Sequence, residues 1–248
     1  MFKKVILAAV MLLLCAGLAF GAQKKQLVAA HDCTWPPMEF IDSNKNLTGY
    51  SVDYVKAISD VLGIEIVSRN VAWDGIFAGL LADRYDFVAS SVTITEEREK
   101  SMDFSTPYYE VRQAVVVPKT SKVKNVADLK GMTLGAQLGT TGFFAIEKIK
   151  GAKGRSYDEI GQAMEALYSG RIDGVVCDDP IAADFALQNA TYAAKLHIAF
   201  IIPTNEDEYY GFAVKKGNKE VLDLLNKGIA ELKNNGTEEK LRQKWIGK

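Results

Sequence analysis

The sequence predicts an α/β protein. Short apolar runs such as Leu27–Ala30, Ile64–Val67 and Gly174–Cys177 alternate with amphipathic segments, and glycine, proline or a polar cap stands at many junctions. The chain of 248 residues allows one large domain or two small ones, and 48% apolar with 25% charged residues is an ordinary globular composition.

Residues 1–21 read as a cleavable export signal. Lys3 and Lys4 precede the apolar run Val5–Leu14, and Ala19-Phe20-Gly21 places small residues where cleavage needs them. The run is short for a spanning helix of roughly 20 residues. Cys15 follows Leu14, where a lipid-attachment motif needs a small residue, so no lipid anchor is expected. Without the signal the chain has 28 basic and 31 acidic residues, and it lacks a basic stripe for nucleic acid.

Leu27–Ala30 is the first strand. Asp32-Cys33-Thr34-Trp35-Pro36-Pro37 forms a rigid loop at its end, because paired prolines forbid a helix. Open α/β sheets hold ligands at such strand ends, so Trp35 is a stacking ring or a core plug, and Asp32 caps the loop or faces a ligand. Asn44–Gly49 is a hairpin tip. Val52, Val55, Ile58 and Leu62 repeat at helical spacing up to Gly63. Ile64–Val67 is a second strand. Trp73-Asp74 precedes a helix with Asp74 as its cap and Phe77, Leu80 and Leu81 as its buried face.

Phe87–Tyr109 is the most informative stretch. The strand Phe87-Val88-Ala89 ends in the hydroxyls Ser90, Ser91 and Thr93, and Thr95 is a good N-cap for a helix from Glu96. Glu96, Glu97 and Glu99 suit the positive end of that helix, whereas Arg98 sits against the field. Arg98 either pairs with a neighbouring acid or acts as a planar clamp for a carboxylate.

Gln113–Pro118 is an extended apolar segment, Asn125–Lys130 a short helix and Thr133–Ala136 a strand. In Gln137-Leu138-Gly139-Thr140-Thr141-Gly142, free N–H groups and the Thr140 and Thr141 hydroxyls offer an anion site at a helix start. A second helix runs from Asp158 to Gly170. After Gly174–Cys177, Pro180 suits the first helical position and Asp179 its N-cap. Asp178 is left at the strand end with no local task, where a carboxylate can hold an ammonium group. Cys177 and Gln137 are further pocket candidates.

The run from Ser90 through Asp103-Phe104-Ser105-Thr106-Pro107-Tyr108-Tyr109 closely resembles the signature of extracellular solute-binding proteins of family 3, amino-acid-binding components of ABC importers, and the resemblance spans essentially the whole mature chain. It implies a two-lobed type II periplasmic-binding-protein fold, with two open α/β sheets joined by two hinge strands. The crossings would be Gln113–Pro118 and Tyr209–Val214. Lobe 1 would comprise 22–111 and 204–248, with the last two helices packed on it, and lobe 2 would comprise 112–203. It also implies that Arg98, Ser91 and Thr93, with Ser90 beside them, hold an α-carboxylate, that Asp178 holds the α-ammonium, that Trp35 and Trp73 enclose the side chain, and that Thr141 and Thr140 close over it. Relatives often carry a longer polar residue where this chain has Gly142. Cys33 and Cys177 would fall in different lobes, where a disulfide would lock a moving cleft, so free thiols are expected.

The expected protein is a periplasmic monomer without cofactor or metal, whose partners are a polar or cationic amino acid and a membrane permease. The main alternative is an exported cyclohexadienyl dehydratase-like enzyme on the same fold, with Asp32, Asp178 or Glu208 as general acid. A receptor's ligand-binding module is a third reading, disfavoured because no membrane-spanning segment follows. The sequence holds no Gly-x-Ser-x-Gly or His-Glu-x-x-His motif and only His31 and His197 as histidines, the first near the expected cleft and the second in a strand.

Overall fold

A computed structural model describes residues 26–247, so the expected export signal and Cys15 lie outside the described residues. β1 (Gln26–His31) leads into the short antiparallel strands β2 (Thr34–Trp35), β3 (Glu39–Ile41) and β4 (Leu47–Thr48), which form a sheet of their own. The helix Tyr50–Leu62 buries Val52, Val55 and Ile58 and ends at Gly63. It returns the chain to β5 (Glu65–Asn70), parallel to β1.

The helix Ile76–Leu81 starts from Gly75 rather than from a cap by Asp74, and its buried face is Ile76, Gly79 and Leu80, with Leu81 exposed. β6 (Phe87–Val88) follows, then the short helix Glu96–Glu99, capped by Thr95 as expected, then β7 (Met102–Phe104). β8 (Tyr109–Val111) and β9 (Gln113–Pro118) come next.

The second half builds β10 (Thr133–Gln137), β11 (Lys153–Tyr157), β12 (Gly174–Asp178) and β13 (Leu196–Ile201), with the helices Thr141–Lys148, Ile160–Tyr168 and Asp179–Ala183 between them. β14 (Glu208–Tyr210) and β15 (Ala213–Lys215) precede the helices Lys219–Asn234 and Thr237–Trp245.

Two mixed five-stranded sheets result, ordered β5-β1-β6-β15-β7 and β11-β10-β12-β9-β13, one in each of two lobes. Their inner strands carry near-continuous apolar runs because helices cover the faces, and Ala114–Val117 of β9 is wholly buried, whereas the edge strands β5 and β11 are more polar and exposed. β8 and β14 pair antiparallel as a separate ribbon between the sheets. The passage between lobes therefore lies at Tyr109–Val111 and Glu208–Tyr210, whereas Gln113–Pro118 belongs to the second sheet. The C-terminal helices pack on the first lobe: Trp245 meets Phe40 edge to face, and its indole N–H and Lys244 both reach Asp53.

Gly49 joins β4 to the helix Tyr50–Leu62 at φ 125°, and a β-carbon there would stand 2.3 Å from the Met38 carbonyl oxygen. That carbonyl already accepts from Ser51 N–H at 2.8 Å, so the backbone has no room to yield. Gly49→Ala is expected to cost about 3 kcal/mol of unfolding free energy; urea titration followed by far-ultraviolet circular dichroism measures it.

Candidate functional site: a closed cleft between the lobes

The site candidates Asp32, Trp35, Trp73, Ser90, Ser91, Thr93, Arg98, Gln137, Thr140, Thr141 and Asp178 all line one cavity, with about 300 Å³ of empty space including its opening to solvent. The first lobe contributes the turn after β1, the residues after β6 and the Arg98 helix. The second contributes the end of β10, the loop after it and the end of β12.

Arg98 is buried although charged. Its Nη1 donates to Thr93 O at 2.7 Å and its Nη2 reaches across the cleft to Gly139 O at 3.1 Å. The guanidinium carbon lies 5.6 Å from the Trp73 ring centre and 5.4 Å from that of Phe77. Trp73 is half-buried and meets Phe77 edge to face at 5.0 Å, so the two rings form a wall for the arginine, and Trp73 also lines the cavity. Among the described residues, no carboxylate stands within ion-pair distance of Arg98. Burial lowers its pKa to about 10, which leaves it charged at neutral pH.

Asp178, at the end of β12, is 4% exposed. Its Oδ1 accepts from Gln113 Nε2 at 2.7 Å and its Oδ2 from Tyr210 O–H at 2.5 Å. Burial pushes its pKa up to about 7, opposed by those two hydrogen bonds and assisted by the charges of Glu208 and Asp179. It has no cationic partner among the described residues. The following helix is Asp179–Ala183, so Asp178 occupies the N-cap position one residue before the expected one, yet its side chain makes no cap bond. Asp179 instead accepts from the Arg112 backbone N–H and pairs with its guanidinium.

Asp32 is held by Thr34 Oγ1 at 3.0 Å and by Gln137 Nε2 from the other lobe at 2.8 Å. Its burial raises its pKa. Ser90 accepts the Asp32 backbone N–H at 2.8 Å. Ser91 has φ 47°, a left-handed conformation uncommon for a residue with a side chain. The helix after the Gly139 loop starts at Thr141, and Thr140 is its N-cap, accepting from Phe143 N–H. Thr141 Oγ1 lies 3.3 Å from Thr93 Oγ1 and 3.1 Å from Gln113 Nε2. Hydrogen bonds therefore join the lobes at several points around the cavity. Gly142 is required sterically: a β-carbon would stand 2.8 Å from Val176 O and 3.1 Å from Gln113 Oε1.

Cys33 and Cys177 are free, buried thiols. Sequence reasoning passed over Gln113, whose amide touches Thr141, Asp178 and Glu208 together. A glutamine opening an otherwise apolar strand was the available signal. Tyr210 and Glu39 were also passed over, because their partners are distant in sequence.

A two-lobed fold with a charged cavity at the lobe boundary defines a ligand-binding protein. The profile of the family described as bacterial extracellular solute-binding proteins, family 3, matches residues 27–248, and the chain belongs to that family. It is 33% identical to a probable histidine-binding protein of Neisseria gonorrhoeae, across 99% of this chain and 96% of that one. It is also 33% identical to ABC transporter arginine-binding protein 1 of Escherichia coli (strain K12), across 98% and 99% respectively. Its structure resembles that of an ancestral arginine-binding protein bound to arginine, with TM-score 0.83 and 38% identity over 89% of this chain and 98% of that chain. These relatives are named as binding proteins, and this chain is a binding protein rather than an enzyme, so the dehydratase reading gives way.

Proposed function

We propose that this protein captures a cationic α-amino acid in the periplasm and delivers it to an ABC permease. The lobes, taken as 22–111 with 204–248 and as 112–203, would swing about the β8–β14 ribbon; periplasmic binding proteins are among the familiar examples of such hinge closure. The observation that carries this reading is a pair of complementary vacant charges. Among the described residues Arg98 has no carboxylate and Asp178 no cation within ion-pair distance, and both are buried around one cavity. Isolated buried charges are costly, and a zwitterion supplies both missing partners. Ser91 and Thr93 join Arg98 on the carboxylate. Trp35 and Trp73 face the side chain.

Charge balance selects the side chain. Once the zwitterion pairs with Arg98 and Asp178, Asp32 is the further carboxyl on the cavity wall, and burial and the charge of Glu159 both raise its pKa, so a cation beside it is favoured. A cationic side chain neutralises Asp32, whereas an acidic one is repelled. The similar proteins named for histidine and arginine support this choice.

A thermal-shift screen of refolded, ligand-stripped protein against all proteinogenic amino acids tests the proposal. Arginine, lysine or histidine at about 100 times its dissociation constant should add about 2.7 kcal/mol. A response confined to acidic amino acids, or to none, would overturn it. Asp32→Asn is expected to weaken arginine at least about tenfold while changing glutamine by less than about threefold, as read by calorimetry.

A further inference from the structure

Beneath the cavity lies an acid to which the binding reading gives no role. Glu39, on β3, is fully buried, and its Oε2 lies 3.0 Å from Ser91 Oγ. Ser91 Oγ in turn lies 3.4 Å from Ser51 Oγ, which lies 3.4 Å from Tyr108 O–H. These four side chains form a chain of hydroxyls and one carboxyl, of which Ser91 alone lines the cavity. Glu39 Oε1 has no hydrogen-bond partner. Among the described residues no cation stands within ion-pair distance of Glu39.

This geometry separates the two protonation states. An ionised Glu39 can only accept, so the Ser91 O–H donates to it and the serine oxygen presents only lone pairs to the cleft. It would also leave a buried anionic oxygen unpartnered, which costs far more than an unpartnered oxygen on a neutral acid. A neutral Glu39 donates to Ser91 Oγ and frees the serine's own proton. The charges that reach Glu39 are those of Asp32 and Asp178, and both oppose its ionisation; Cys33, Tyr108 and Tyr210, which also face it, are held neutral by burial. Burial acts in the same direction and most strongly, and it outweighs the Ser51 and Ser91 hydroxyls, whose hydrogen bonds favour the anion.

We propose that Glu39 is a positioning residue: as a neutral carboxylic acid it donates to Ser91 Oγ, and the Ser91 O–H therefore points into the cleft as a donor to the ligand's carboxylate. The effect on affinity rests on the carboxylate role given to Ser91 above, but the neutral acid itself does not.

The test combines an infrared difference spectrum with arginine titrations. At neutral pH, wild type minus Glu39→Gln should contain the carbonyl band of a protonated carboxyl in the absence of ligand. Glu39→Ala should weaken arginine about tenfold or more, and Glu39→Gln, whose amide also donates to Ser91 Oγ, should restore most of that loss. In a Ser91→Ala background the Glu39→Ala penalty should shrink to less than about threefold, because the serine through which it acts is gone. A purely structural Glu39 would weaken binding equally in both backgrounds, and that result overturns the proposal. So does a carboxylate band in place of the protonated one, or a Glu39→Gln loss equal to that of Glu39→Ala. If wild type shows the protonated band but binds no arginine, the ligand reading falls and the neutral acid stands.

Discussion

Asp178→Asn is expected to abolish arginine binding and to make the ligand-free protein more stable above neutral pH. Both effects follow from one buried carboxyl. Burial raises its pKa from 3.8 to about 7, so the folded, ligand-free protein holds this proton more tightly than the unfolded chain does. The associated stabilisation is complete below about pH 4 and is lost as pH rises through about 7. Three pKa units correspond to about 4 kcal/mol as an order of magnitude. Asparagine carries no charge and escapes that loss. It does not recover the whole of it, because Tyr210 and Gln113 both donate to Asp178 and an amide offers only one acceptor. A gain of about 1–2 kcal/mol near pH 8, vanishing near pH 4, is expected in urea unfolding of stripped protein.

The same variant loses the partner for the ligand's ammonium, and a loss of at least about 10³-fold in affinity is expected by calorimetry. In the wild type, arginine binding requires the ionised carboxylate. Affinity should therefore be constant above about pH 7 and fall up to about tenfold per pH unit below it. A variant that binds normally, or a wild-type affinity that rises on acidification, would exclude Asp178 as the ammonium partner.

Arg98→Ala should also reduce arginine affinity, by about 30-fold to 5,000-fold, since truncating one side of a buried charge pair costs about 2–5 kcal/mol. The arginine also holds the cleft shut through Gly139 O and anchors Thr93 O. Arg98→Lys keeps the charge but lacks the planar fork that spans these two carbonyls and a carboxylate. It is expected to recover no more than about a tenth of the lost affinity. Near-native binding by either variant would remove Arg98 from the site.

The α/β class and most elements were legible because periodicity and caps are local. Thr95 caps its helix and Gly63 ends the preceding one, both within a few residues of the pattern that announces them. Arg98 was legible for the opposite reason: a cation in a helix's first turn contradicts its surroundings and asks for a partner elsewhere. Gln113–Pro118, expected to cross between the lobes, lies within the second sheet, because an apolar extended run looks the same inside a sheet as between two sheets. Asp74 failed as a cap because Gly75 takes that position. Gln113, Tyr210 and Glu39 could not be assigned, since their partners lie tens of residues away and only the closed fold brings them together.

The most direct measurement is a crystal structure of the mature protein with L-arginine. The ligand's carboxylate should lie against Arg98, Ser91 and Thr93, its ammonium against Asp178, and its guanidinium towards Asp32 between Trp35 and Trp73. A ligand in reversed orientation, with its guanidinium on Asp178, or one bound outside the cleft, would contradict the zwitterion site.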